Sequence, residues 1–136
     1  MGLVTHEDLK HIIEEGNHAV LITQAERVGR ELSRQLTTSQ IRSIFGSVRQ
    51  IELDWQAPQR HPITERVRRA QREFFLLQPR LAYQARRERG RGVEELRDIL
   101  TPALQLVGTD HQRFRNFVDF FEAILAYHKA AGGREQ

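Results

Sequence analysis

Residues 36–51, LTTSQIRSIFGSVRQI, constrain the fold more than any other stretch, because they carry a helix start and a sustained helical period together. Thr37 and Gln40 have the spacing of a capping box, in which each side chain satisfies an orphan amide of a helix start. Leu36 and Ile41 occupy the staple positions just outside and inside that cap. At about 100° per residue, Ile41, Ile44, Phe45, Val48 and Ile51 then form one apolar stripe over a helix from Thr38 to Asp54. The same pattern recurs along the chain. Thr5 caps a short helix over 6–15, ended by Gly16, and Asn17 caps one over 18–35 with Val20, Leu21, Ala25, Val28 and Leu32 inward. Residues 56–62, with two prolines, read as a loop. Thr64 opens a helix whose Val67, Ala70, Phe74 and Leu77 recur at helical spacing, and Pro79 is expected to break or kink it before a continuation over 80–88. Gly90-Arg91-Gly92 reads as a flexible connection. Residues 93–107 are helical by pattern, with a kink expected at Pro102. Thr109 and Gln112 have capping-box spacing before a final helix to about Ala131. Nothing alternates with a period of two. The expected fold is all-α, a compact helical bundle of about five to six helices forming a single domain over residues 1–136.

Charge is uneven along this framework. The net charge is +3, yet residues 60–91 hold ten arginines against three glutamates, a local +7. The flanking stretches 1–59 and 92–136 are each −2, with six basic against eight acidic groups and five against seven. Nineteen of the 21 basic residues are arginine, whose planar fork pairs with phosphate in bidentate fashion and stacks on bases. There is no cysteine, which excludes disulfides and thiolate metal sites. The start MGLVTHEDLK lacks the regions of a secretion signal, and no apolar run approaches the roughly 20 residues that span a bilayer. A soluble, cytoplasmic protein without membrane contact is expected.

Three constellations are candidates for binding a polyanion. On the first helix described, Arg42 and Arg49 lie roughly 20° apart on the flank of the apolar stripe, with Gly46 between them. Two aligned guanidinium groups beside bare backbone can hold successive phosphates; ordinary snorkelling arginines are the competing reading, and spacing alone leans to it. Arg66, Arg68, Arg69 and Arg72 form the second group, in which a Glu65–Arg69 pair at i, i+4 satisfies one arginine only. The third is Arg86, Arg87, Arg89 and Arg91, at a helix end and in a glycine-containing loop. Tyr83, one turn earlier, is placed to stack on a base or to fill the core, with the core the expected site. The cationic side chains of the central third are expected to converge into one continuous track. On the last helix Phe114, Phe117, Phe121, Ile124 and Leu125 make a wide apolar face, while Phe120 and Tyr127 lie on another side. Contact with a neighbouring subunit and burial within the bundle are evenly matched explanations for that second side.

The segment Leu36 to Arg42 (L-T-x-S-Q-I-R), the run Leu81, Tyr83, Arg86 (L-x-Y-x-x-R) and the closing stretch Phe117 to Lys129 (F-x-x-F-F-E-A-I-x-A-Y-H-K) together resemble the small subunit of type III-A CRISPR ribonucleoprotein effectors, the Csm small-subunit family. The resemblance implies an all-α protein without catalytic activity, stacked in several copies along its complex and contacting the guide RNA–target RNA duplex. It adds Lys129 to the cationic candidates. No family motif is visible in the amino-terminal stretch, and residues 1–35 are expected to be peripheral. The candidate RNA-binding residues are thus Arg42, Arg49, Arg68, Arg69, Arg86, Arg87 and Lys129, and the candidate subunit contacts Phe120 and Tyr127. The partners implied are guide RNA, target RNA, other subunits of the effector and further copies of this chain. No cofactor and no metal are expected.

Catalytic patterns are weak by comparison. His6-Glu7 with His11 gives H-E-x-x-x-H, one residue too long for the zinc motif whose histidines share a helix face. The serines at 33, 39, 43 and 47 lack a nucleophile elbow. His128 is a conceivable general base for RNA cleavage, without a partner acid in helical register. The runner-up function is a helical adaptor whose basic middle grips an acidic protein. A helix-turn-helix regulator ranks below it, because base-reading Asn or Gln residues are missing beside Gly46.

Overall fold

Thr5, Asn17, Thr37 and Thr64 each accept the backbone amide three residues on, and a helix begins at each. The structure is a computed structural model that describes residues 3–56, 63–88 and 90–133. Among the described residues there are six helices and no strand: α1 His6–Ile13, α2 His18–Leu32, α3 Thr38–Asp54, α4 Glu65–Arg87, α5 Gly92–Val107 and α6 His111–Ala130. Both bonds of the capping box at Thr37 form. The Gln40 amide donates to Thr37 Oγ1 at 3.1 Å, and the Thr37 amide donates to Gln40 Oε1 at 2.9 Å. Leu36 and Ile41 are buried as a staple requires.

The core is closed by aromatic rings brought from three helices. Trp55 at the end of α3 stacks on Phe114 of α6 with centroids 4.4 Å apart, and Phe74 of α4 meets Phe114 edge-on at 5.2 Å. Phe45 of α3 meets Phe121 of α6 edge-on at 5.0 Å. Such pairs add about 0.5–1.5 kcal/mol each beyond the area they bury. α3 and α4 run antiparallel. Arg66 Nε donates to Asp54 at 2.6 Å at one end, and Gln40 Nε2 donates to Glu88 at 2.7 Å at the other.

Several expectations need correction. The amino-terminal stretch from residue 3 to 35 is not peripheral: Leu9, Ile12 and Ile13 of α1 and Ala25, Val28 and Leu32 of α2 are core residues. α2 ends at Leu32 rather than residue 35. α4 runs unbroken through Pro79. The carbonyl deprived of its amide there belongs to exposed Phe75, where water can replace the missing donor. Gly92 is no flexible hinge but the buried start of α5, where a Cβ would lie 2.5 Å from the Gln35 carbonyl oxygen. The final helix is capped by Asp110, which accepts the Arg113 amide at 2.9 Å, not by Thr109. Most of the predicted 56–62 loop lies outside the described residues.

Candidate nucleic-acid interface

α4 carries seven arginines against Glu65 and Glu73, and its inward stripe of Ala70, Phe74, Leu77 and Leu81 fixes which of them face outward. Arg68 and Arg86 are eighteen residues apart, as are Arg69 and Arg87, so each pair shares a direction after five turns and roughly 27 Å of helix. Arg72, Leu76, Pro79 and Tyr83 lie between those two rows. All of these side chains are exposed. Among the described residues Arg68, Arg69, Arg72 and Arg86 have no ion-pair partner. The expected Glu65–Arg69 pair does not form. Arg87 stands 3.8 Å from Glu88 and places its guanidinium 5.8 Å from the Tyr83 ring centroid. The other arginines of the basic stretch are engaged. Arg66 binds Asp54, Arg80 binds Glu73 at 2.9 Å, and Arg91 is within 3.9 Å of Glu94 and Glu95. Arg60 and Arg89 lie outside the described residues.

The aligned pair on α3 splits in character. Arg49 donates to Glu52 at 2.6 Å and to Glu122 of α6 at 2.8 Å, with its guanidinium 4.9 Å from the Phe45 centroid. Its hydrogen bond to Glu52 raises its pKa further above an already high value. Arg115 joins the same network, donating to Glu52 at 2.8 Å. Burial in turn raises the pKa of neighbouring Asp119, with Arg115 opposing. Arg42 is exposed and has no ion-pair partner among the described residues. Both arginines sit on the α6 side of α3, whereas Ser47, Gln50 and Asp54 face α4 across a groove of about 380 Å³. The expected track of the central third forms in part: Arg68, Arg69, Arg72 and Arg86 share the outward side of α4 without ion-pair partners among the described residues, whereas Arg66, Arg80 and Arg91 are turned to carboxylates. The α4 arginines make one face, Arg42 lies across α3 from it, and Lys129 is exposed near the end of α6.

The remaining sequence expectations fall on either side. Phe120 is 0% exposed and belongs to the core, so it is not a subunit contact; α6 packs on α1, α2, α3 and α5 and buries both of its apolar sides. Tyr127 is half-buried, with its Cβ against Gly29 of α2. His128 is also 0% exposed and its Nε2 bonds the Leu36 carbonyl at 2.6 Å, which removes it as a general base. Tyr83 is not a core residue: it is 67% exposed, and Phe75 and Leu76 on the same outward side are 49% and 38% exposed. Arg72, grouped in the sequence with Arg66, Arg68 and Arg69, lies four residues from Arg68 and three from Arg69 and is exposed beside both. Among the described residues no group of three or more His, Asp or Glu side chains is gathered for a metal, and no helix is long and apolar enough to cross a membrane.

Residues 15–134 match the family described as Csm2 Type III-A. That span includes all three motif blocks named above. No curated protein and no solved structure matches the chain.

Proposed function

The chain belongs to the Csm2 type III-A family and is thereby a subunit of a type III-A CRISPR complex, and on that footing we propose that it is a non-catalytic RNA-binding subunit. Several copies would stack along the guide RNA–target RNA duplex, beside the other subunits, and hold its phosphate backbone. The observation that supports this reading is the outward face of α4, where Arg68, Arg69, Arg72 and Arg86 are exposed and unmatched by carboxylates among the described residues. Like charges one turn apart repel each other when no anion is present, so a polyanion stabilises such a face. An A-form duplex is read by shape and backbone, and backbone contact is what arginine forks supply. Arg42 and Lys129 are proposed as further phosphate contacts. Arg49 is proposed to brace α3 against α6, because Glu52 and Glu122 already occupy its fork.

The test is a salt titration of RNA affinity. Each phosphate neutralised contributes about 0.7–0.9 to the log–log slope, so Arg72→Ala/Arg86→Ala lowers it by about 1.4–1.8. Arg49→Ala leaves it near the wild-type value. A slope unmoved by the double substitution removes α4 from the RNA face. The adaptor reading uses the same face with an acidic protein, and predicts a purified chain free of nucleic-acid absorbance.

A further inference from the structure

We infer that the outward face of α4 holds an unpaired stretch of RNA, with the Tyr83 ring as a base-stacking platform between two groups of phosphate-binding arginines. The inference rests on the RNA-binding reading above and adds to it: the arginines of this face hold phosphates of duplex and single strand alike, and Tyr83 takes a base only where the strand is unpaired. A tyrosine in a bundle helix has an ordinary place inward, yet Tyr83 lies two residues from inward Leu81, roughly 160° around the helix, and is 67% exposed. Arg87 is positioned over this ring, 5.8 Å from its centroid, which holds the ring in a defined orientation and leaves most of it open. Phe75 and Leu76 extend the apolar strip about two turns toward the helix start. Arg68, Arg69 and Arg72 bound the strip at one end, and Arg86 and Arg87 bound it at the other.

A duplex gives such a strip nothing to pack against, because its bases are stacked on each other and it presents phosphates and groove edges. An unpaired strand offers π-faces and phosphates in alternation, the pairing that single-strand binders use. Charge decides between that strand and a protein helix. The bounding residues are all cationic, and of the two carboxylates of α4 Glu65 stands at its first residue while Glu73 is held by Arg80 at 2.9 Å. A protein surface that mixes charges would leave its own lysines and arginines facing this row, whereas a nucleic acid has none.

The test compares a short single-stranded RNA of mixed sequence with the blunt duplex of that sequence, titrated against the full chain by fluorescence anisotropy. Stacking one base is worth about 1–3 kcal/mol, so Tyr83→Ala weakens single-strand binding roughly 5- to 150-fold and leaves duplex binding unchanged. Tyr83→Phe keeps the ring and retains the affinity. Equal loss on both RNAs, or loss on neither, overturns the inference. So does a Tyr83→Ala chain that binds RNA normally but changes its assembly state in sedimentation, which makes the strip a protein contact. If Arg72→Ala/Arg86→Ala abolishes binding while Tyr83→Ala does not, the stacking role fails and the RNA-binding reading stands; if neither substitution matters, both fail.

Discussion

Replacing glycine by alanine at two helical positions of this chain should change stability in opposite directions. A Cβ at Gly29 of α2 would lie 2.7 Å from Tyr127 Cβ, 2.8 Å from the His128 amide nitrogen and 2.8 Å from the Ile124 carbonyl oxygen. Two of those atoms are backbone in the last two turns of α6, so no rotamer change relieves the clash. α2 must retreat by roughly 0.7 Å, the gap between 2.7 Å and the start of ordinary contact at 3.4 Å. A gap of that size forfeits about a quarter to a half of each dispersion contact along the interface, where Leu21, Ala25, Val28 and Leu32 are buried. Overpacking costs about 1–3 kcal/mol, and a three-atom clash against a helix backbone belongs at the upper end. Alanine's helix propensity returns about 1 kcal/mol. The net expectation for Gly29→Ala is a loss of about 2 kcal/mol, or about 6–8 °C in Tm for a chain of this size. At Gly46 a Cβ meets nothing within 4 Å, so only the propensity acts and Gly46→Ala gains about 1 kcal/mol, or about 3–4 °C. Urea denaturation followed by far-ultraviolet circular dichroism measures both. A Gly29→Ala chain as stable as wild type would refute the close approach of α2 to α6.

Other expectations come from single bonds. Thr37→Val removes the acceptor of the Gln40 amide and half of the capping box, and should cost about 1 kcal/mol, seen as a lower urea midpoint with an unchanged m-value. Buried Asn116 donates to the Ile13 carbonyl at 2.9 Å; Asn116→Leu strands that carbonyl and should cost about 1–3 kcal/mol in the same assay. The His11 pKa is raised above 6.5 by its hydrogen bond and attraction to Glu15. The folded value lies above the unfolded one, so the pair's contribution is fully present below 6.5 and is lost as pH rises through the raised folded value. An NMR titration should place the His11 midpoint above 6.5, and Glu15→Gln should lower it; an unmoved midpoint would separate the shift from Glu15.

The caps at Thr5, Asn17, Thr37 and Thr64 were legible because each is a contract between residues three apart. The last cap was misread because Thr109 and Asp110 are adjacent residues of capping type. Local rules do not choose between them; the phase of α6 is set by Phe114 against Trp55 and by the bond between His111 Nε2 and the Trp55 carbonyl at 3.2 Å. The exposure of Tyr83 was within reach of the sequence. Carrying the stripe of Phe74, Leu77 and Leu81 through Pro79 puts it outward, and assuming a break at the proline lost that phase. Phe120 was ambiguous for a different reason: α6 is covered on several sides, and one helix's own pattern does not say how many neighbours it has.

Helix positions and inward stripes follow from the sequence alone, since they rest on interactions within one turn, where spacing is geometry. Which arginines remain available was decided only when the helices packed. Arg49 meets Glu122 and Arg115 meets Glu52 from a separate helix, 73 and 63 residues away along the chain. Charge falls off over ångströms of space rather than positions of sequence, so a basic stretch becomes a binding face only where folding brings no carboxylate to it.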